Sequence, residues 1–85
     1  MARKTIYCAQ AFWLRAGRLR GGEVHQFLNE DRARHGGEAL ITGSDGVAVF
    51  SVEGHPDEDH WEEPRIIETF GIVPLSPEPG LDEVA

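Results

Sequence analysis

The stretch "GHPDEDHWEEP", Gly54 to Pro64, contains the residue types in this chain that could bind a metal ion. His55 and His60 lie five positions apart with Asp57 between them, and imidazole and carboxylate groups are ligands for zinc and similar ions. However, the spacing matches no standard zinc motif, and the pattern of a calcium-binding loop is not met. We therefore treat His55, His60 and Asp57 as candidate metal ligands, but we favour a solvated loop in which Trp61 is the one buried side chain.

Nucleophilic catalysis has less support in the sequence. Cys8 is the single cysteine and stands in the apolar run "IYCAQAFWL", where a thiol usually behaves as a small core residue. His25 and His35 have no obvious partner close in sequence. A single cysteine also excludes an internal disulfide, which fits a reducing compartment. We predict no catalytic residue, no cofactor and a protein that is not an enzyme.

A second pattern, "FWLRAGRLR", combines aromatic and basic residues. Trp13 is followed by Arg15, Arg18 and Arg20, and such a mixture can hold single-stranded nucleic acid by stacking and charge. The chain as a whole carries a net charge of −7, which opposes binding to a phosphate backbone. The alternative interpretation is a basic turn beside two aromatic residues of the core.

The charges divide unevenly along the chain. Residues 1–34 hold seven of the eight basic residues and three acids, whereas residues 35–85 hold one base, Arg65, and twelve acids. This asymmetry indicates either a surface for a charged partner or a fold that interleaves the two halves so that the charges pair locally. We favour local pairing.

The elements that must position these residues begin with a strand from Thr5 to Leu14. It is rich in aromatic and β-branched residues and alternates on two apolar faces, which predicts a central strand. The glycine-rich segment "RAGRLRGGE" predicts a turn, and residues 24–28 then form a short extended link.

A helix is predicted to begin at Asn29, whose side chain suits an N-cap and which Glu30 and Asp31 follow in the first turn. Gly36 and Gly37 would stop the helix in one interpretation and make "ALITGSDGVAVF" a hairpin. In the other interpretation, which we favour, the helix continues to Thr42, and the glycines let it lie close to a sheet.

Two further strands are predicted, at Gly46–Glu53 and Arg65–Val73, and the acidic loop joins them as a long hairpin. In the second of these strands, Ile66, Phe70 and Ile72 are expected to face one way, and Ile67 and Val73 the other. The remainder, residues 75–85, is rich in proline and acids and is predicted to be a flexible tail after a single domain over residues 1–74.

The predicted architecture is a small α+β domain of β-α-β-β order, with one helix on one face of an antiparallel sheet. One helix cannot cover both faces, so the apolar second face would be exposed in a monomer. We therefore expect a homodimer that forms through the sheet.

The segment "GVAVFSVEGHPDEDHWEEPRIIETFGIVP" resembles the C-terminal part of a group of small bacterial proteins. Those proteins carry a strand of the "VAFSxxGDP" type, an acidic loop and then "AVxxxFGxVP"; "NEDRA" here resembles their helix start. The resemblance covers roughly residues 29–74 and implies the long helix and the strand pair. It implies no activity.

These observations together favour a small cytoplasmic module that binds proteins, including a second copy of itself. No segment approaches the roughly 20 apolar residues of a membrane span, so we expect no membrane contact. The candidate interaction residues are Trp13, Arg15, Arg18, Arg20 and Trp61. The alternatives are a nucleic-acid-binding protein that uses the Arg15–Arg20 loop and a metal- or ligand-binding protein that uses the His55–His60 loop.

Overall fold

Five antiparallel strands and one α-helix make up residues 3–74, the part of the chain that the computed structural model describes. In chain order they are β1 (Lys4–Arg15), β2 (Arg18–Phe27), α1 (Glu30–Ile41), β3 (Gly46–His55), β4 (His60–Trp61) and β5 (Arg65–Gly71), with a 3₁₀ turn at Pro56–Glu58. The α+β class predicted from the sequence is confirmed. The predicted flexible tail, residues 75–85, lies outside the described residues.

Strand β1 lies in the middle of the sheet, as predicted. Its pairing with β3 runs from Lys4 opposite Gly54 to Phe12 opposite Gly46, and β2 pairs along its other side. Strands β4 and β5 lie end to end along the far side of β3. Since β2 and β3 are both antiparallel to β1, they run in the same direction, and α1 connects one to the other across β1.

The glycine-rich segment after β1 is a strand rather than the predicted turn and link. The turn itself needs two residues, Ala16 and Gly17, both with positive φ (52° and 79°), as in the tight turns that match the twist of a hairpin. Strand β2 follows directly over ten residues at the edge of the sheet. The predicted β-α-β-β order therefore lacks two strands, β2 and the short strand β4.

Gly21 and Gly22 do not end β2 because they lie where its ladder with β1 is irregular. The register shifts between Gln10 and Phe12, which is the signature of a β-bulge. A Cβ atom at Gly22 would lie 2.6 Å from the Trp13 ring. The glycines therefore leave room for side chains of β1 that cross over the edge strand.

Helix α1 begins and continues as predicted. The Asn29 side chain accepts a hydrogen bond of 2.9 Å from the backbone N–H of Arg32, and the helix runs through both glycines to Ile41. Gly37 is buried, and a Cβ atom there would lie 2.7 Å from Cγ2 of Val49 on β3. The two glycines thus allow the close approach of the helix to the sheet that the sequence suggested.

Alternate residues of β1 contribute to two apolar clusters, one on each face of the sheet. The cluster beneath α1 consists of Ala9, Ala11, Ala33, Val47 and Val49, with Tyr7, Trp13, Phe27, Leu40, Ile41, Ile67 and Phe70 packed around it. The face turned away from α1, which we call the outer face, carries Cys8, Phe12, Ala48 and Phe50, with Ile6, Leu19, Val52 and Val73 packed around them. The predicted alternation along β1 is confirmed, and the residues of β3 alternate between the same two clusters.

The centre of the outer face is not exposed, contrary to expectation. Phe50 retains 2% of its accessible surface and Phe12 retains 5%. The sheet curls, and side chains from β1, β2, β3 and the segment after β5 pack against this centre. A curled sheet can therefore bury a small cluster on the face that its helix does not cover.

The predicted alternation along β5 is wrong, because a second bulge interrupts it. The register with β3 shifts between Val49 and Phe50. Ile66 lies opposite Phe50 on the outer face, whereas Ile67 and Phe70 both join the cluster beneath α1. The extra residue reverses the faces on the two sides of the bulge.

Replacing Gly37 tests the close packing of α1. In Gly37→Ala the new methyl group meets the fully buried Val49, and we expect the free energy of unfolding to fall by about 1–2 kcal/mol because overpacking outweighs the better helix propensity of alanine. Chemical denaturation measures the change. Gly43→Ala is the matched control, since a Cβ atom there meets nothing within 4 Å; equal effects of the two substitutions would contradict the packing argument.

Candidate interaction surfaces

Exposed apolar side chains surround the buried centre of the outer face. The exposed fractions are 45% for Leu14, 39% for Val24, 45% for Trp61 and 44% for Ile66. Strand pairing places each of them on this face, opposite Leu19, Gln10, Gly54 and Phe50 respectively. The outer face therefore has a dry centre and an apolar rim, contributed by β1, β2, β4 and β5.

Gln10 is the polar residue buried at the centre of this apolar face. Its Nε2 atom donates a hydrogen bond of 2.9 Å to the carbonyl oxygen of Gly22, within the irregular part of β2. Its Oε1 atom is buried and has no hydrogen-bond partner in the described part of the chain. An unmatched buried acceptor costs about 1–3 kcal/mol, so Gln10 stabilises the bulge at some expense to the core.

The candidate residues Trp13, Arg15, Arg18 and Arg20 are brought together by the hairpin of β1 and β2, and we call this group the basic hairpin. Arg15 lies directly opposite Arg18, and Trp13 opposite Arg20. The arginines at 18 and 20 are therefore on a strand, which corrects the predicted loop. Trp13 is half-buried: its Nε1 donates a hydrogen bond of 2.8 Å to the carbonyl oxygen of Gly43.

The acidic segment between β3 and β5 is more regular than predicted. The 3₁₀ turn Pro56–Glu58 and Asp59, which has a positive φ of 54°, reverse the chain, and His60 then pairs with His55 across β3 and β4. The two imidazole rings stack with their centroids 5.9 Å apart. Nε2 of His55 lies 3.2 Å from a carboxylate oxygen of Glu62. We refer to residues 57–63, which hold five acids, as the acidic turn.

The Trp61 ring covers Gly54 at the surface of the sheet and does not lie in an apolar core. A Cβ atom at Gly54 would overlap the indole ring, and Gly54 itself is buried. The indole nevertheless keeps 45% of its surface exposed. The prediction of a well-buried Trp61 is therefore wrong, because β4 is only two residues long and places the ring at the rim of the outer face.

The candidate metal ligands do not form a coordination site. Among residues 3–74, no group of three or more His, Cys, Asp or Glu side chains is arranged to hold a metal ion. His55 is directed to Glu62, and His60 stacks on His55. The arrangement provides a polar contact between His55 and Glu62 and a ring contact between the two histidines at the end of the sheet.

Cys8 lies in the buried centre of the outer face. Burial raises the pKa of its thiol because it disfavours the charged thiolate, and the thiol is the unreactive form. His25 pairs opposite Ala9 and so lies on the other face of the sheet. Cys8 and His25 therefore lie on opposite faces of the sheet and are not placed as a cysteine–histidine pair.

Part of the charge asymmetry is resolved by local pairing. Arg34 contacts Glu30 at 3.0 Å and Glu68 on β5 at 2.8 Å, and these carboxylates raise the pKa of its guanidinium group. Arg3 lies 3.6 Å from Glu53. Two arginines of the basic half thus pair with acids of the acidic half, whereas the basic hairpin does not take part in this pairing.

A cleft of 590 Å³ lies beside α1 and is open to solvent. It is lined by Phe27 at the end of β2 and by Asn29, Asp31, Arg32, His35 and Gly36 of the helix start. The Asn29 side-chain oxygen accepts the cap hydrogen bond from the backbone N–H of Arg32.

Sequence reasoning missed three rim residues and Gln10. Leu14 and Ile66 were recognised as strand residues but not as exposed contacts, and Val24 was assigned to a link. Gln10 interrupts the row Ile6, Cys8, Phe12 and Leu14 on one face of β1, and that break in alternation was the signal available for it.

Substituting Gln10 tests the cost of polarity at the centre of the outer face. We expect Gln10→Glu to lose about 2 kcal/mol or more at pH 7, because a carboxylate there is buried without a partner. In the folded state, burial would raise the pKa of the introduced carboxyl group above the usual ~4.3. The deficit therefore vanishes below the pKa of the unfolded chain and grows as pH rises toward the pKa of the folded state.

Thermal and urea unfolding between pH 4 and pH 8 would measure this dependence. Gln26→Glu is the matched control, since Gln26 lies opposite Cys8 on the same face but is exposed. A pH-independent deficit, or an equal one in both variants, would show that Gln10 is not buried as described.

Truncation of Trp61 tests its contact with Gly54. Because the ring is about half exposed, Trp61→Ala should lower the free energy of unfolding by about 1–2 kcal/mol, less than the roughly 3–5 kcal/mol of a fully buried tryptophan. It should also increase amide exchange in β4. Glu63→Gln, at an exposed neighbouring position, serves as control; a loss above about 3 kcal/mol for Trp61→Ala would restore the original prediction of a buried anchor.

Comparisons with known proteins add no functional assignment. No protein-family model matches the chain, and comparisons with curated proteins and with solved structures find no match either. The resemblance of residues 29–74 to small bacterial proteins stays a prediction. Within the described part of the chain, no helix has both the length and the apolar character needed to cross a membrane.

Proposed function

We propose that this chain is a small protein-interaction module without enzymatic activity, which self-associates through the outer face of its sheet. The observation that carries the proposal is the apolar rim, in which Leu14, Val24, Trp61 and Ile66 keep between 39% and 45% of their surface exposed around a buried centre. Burial of this rim stabilises a complex by roughly 25 cal/mol for each Å² of apolar surface removed from water.

The size of the outer face supports a contact of ordinary dimensions. A sheet four strands wide and about ten residues long covers roughly 15 by 33 Å, a projected area on the order of 500 Å² before side-chain relief. A stable interface of standard size buries about 800 Å² of accessible surface on each partner. The projected area of the outer face is of the same order as this figure.

A second copy of this chain is the partner that we favour, because a two-fold axis lets one apolar face cover its own equivalent. Association along the free edge of β2 is less suitable. This edge carries Arg18, Arg20 and Glu23 and an irregular ladder, and charges and bulges are the features that protect edge strands from pairing. We assign the module to the cytoplasm, where a free thiol such as that of Cys8 is the usual state of cysteine.

A charge in the rim tests the proposal. We expect the wild-type chain to sediment as a dimer at micromolar concentration, and Ile66→Glu to sediment as a monomer with its unfolding temperature reduced by no more than a few degrees. The reason is that Ile66 is already partly hydrated in one copy but would become buried between two. Analytical ultracentrifugation and circular dichroism provide the two readouts.

Leu14→Glu is a second rim variant, on β1 rather than β5, and Ala39→Glu adds the same charge on the exposed side of α1. Only the rim variants should dissociate. A monomeric wild type, or dimers that survive in both rim variants, would refute association through the outer face.

A further inference from the structure

The arginines of the basic hairpin place three positive charges close together on the α1 side of the sheet. Arg15 lies directly opposite Arg18, and Arg20 lies opposite Trp13. Leu19, between the two arginines of β2, packs on the outer face instead. Like charges in directly opposite positions destabilise a hairpin, and violations of local preference of this kind are expected at functional surfaces.

The acids near the hairpin do not pair with these arginines. Asp45 accepts a hydrogen bond of 2.7 Å from a backbone N–H of β1, one residue before Arg15, and Glu23 lies in the irregular part of β2, three residues after Arg20. Within the described part of the chain, none of the three arginines forms an ion pair, and all three are exposed. Since Asp45 lies on the Arg15 side of the hairpin, the charge without a local counter-ion is centred on Arg18 and Arg20.

The tip of the hairpin is accessible to a partner. Pairing of β1 with β3 ends at Phe12 and Gly46, and β2 is the edge strand of the sheet. Residues 13–20 therefore extend past the neighbouring strand. In a dimer that forms through the outer face, the arginines stay exposed to solvent, because they lie on the opposite side of the sheet. Binding at the hairpin thus does not depend on self-association.

We propose that Arg18 and Arg20 bind an extended acidic segment of another protein, in which carboxylates stand at alternate positions. Two residue steps along a strand span about 6.6 Å, so the two arginines and the alternate carboxylates of an extended chain repeat at the same distance. Guanidinium groups bind carboxylates through paired hydrogen bonds. The contact is made by side chains and does not require an added strand on the irregular edge of β2.

A second copy of this chain does not supply such a segment from its described acidic turn. Residues Pro56–Glu58 form a 3₁₀ turn, and Asp59 has a positive φ of 54°. The carboxylates of this turn therefore do not follow the period of an extended chain. The partner that fits the two arginines is a different acidic protein.

The surroundings of Trp13 favour a carboxylate segment over single-stranded nucleic acid. Non-specific binding of single strands relies on aromatic rings that are free to stack on bases. The Trp13 ring instead packs beside Gly22, and its N–H donates a hydrogen bond to the carbonyl oxygen of Gly43. The net charge of −7 also repels a phosphate backbone, with one charge on every nucleotide, more strongly than a short peptide with few carboxylates.

A defined acidic peptide tests the proposal by fluorescence anisotropy. The probe is a labelled peptide about as long as the ten residues of β2, in which glutamate alternates with serine. At about 50 mM salt, the wild type should bind it about tenfold more tightly than Arg18→Glu/Arg20→Glu does. Lys4→Glu/Arg65→Glu is the matched control, because it changes the net charge equally at two other exposed positions. Its affinity should stay within about twofold of the wild type. A peptide with glutamine in place of glutamate should not bind.

Thermal unfolding of the same hairpin variant separates binding from folding. Arg18→Glu replaces the like-charged pair with Arg15 by an oppositely charged pair. The unfolding temperature of Arg18→Glu/Arg20→Glu should therefore equal or exceed that of the wild type, even though the variant loses affinity for the peptide. A lower unfolding temperature would overturn the charge conflict from which the proposal starts.

Four other results would overturn the proposal. The first is no binding of the peptide by the wild type, and the second is equal affinity in the wild type and the hairpin variant. The third is tighter binding of a single-stranded oligonucleotide of the same charge, which would assign the hairpin to nucleic acid. The fourth is loss of self-association in the hairpin variant, which would place the arginines in the contact between copies.

Discussion

The close contact of α1 with the sheet is the constraint on which the remaining features depend. Small residues on both sides, Ala33 and Gly37 on the helix and Ala9 and Ala11 on β1, form the middle of this contact. A larger residue at Gly37 would meet Val49. With so little volume between the layers, the larger side chains that belong to this core, such as Phe27 and Phe70, pack around the contact rather than within it.

The asymmetry of the two faces follows from this arrangement. The single helix covers one face closely, so aromatic residues of odd-numbered positions on β1 lie beside it. The other face must bury Phe12 and Phe50 without a helix, and it does so by curling and by packing side chains of neighbouring strands over them. Such a centre is small, and the next ring of side chains remains hydrated. The apolar rim is therefore a consequence of building a two-faced sheet from a chain with one helix.

The sequence was sufficient to predict elements whose signals agree with one another. The N-cap at Asn29, the long helix and the alternation of β1 were all predicted, because hydrophobic period, caps and propensities point the same way there. Strand β2 was missed because Gly21 and Gly22 are ordinarily turn residues, and their reason for being in a strand lies in Gln10 and Trp13, which are distant in sequence. The faces of β5 were assigned wrongly beyond Ile67, because the bulge reverses the alternation there. Nothing in the local sequence indicates this bulge. The exposure of Trp61 depends on the length of β4, which tertiary pairing sets.

The topology of the sheet and helix explains why some charges pair within the described part of the chain and others do not. Arg34 lies on α1 above β5. It therefore contacts Glu30, one helical turn earlier, and Glu68 on β5. Arg15 and Arg18 lie beyond the last contact that the loop after α1 makes with β1, the hydrogen bond from the Leu14 N–H to Asp45. They lie directly opposite each other, and within residues 3–74 neither of them forms an ion pair. Position in the sheet, rather than the number of acids in the sequence, therefore decides which of the described arginines are paired.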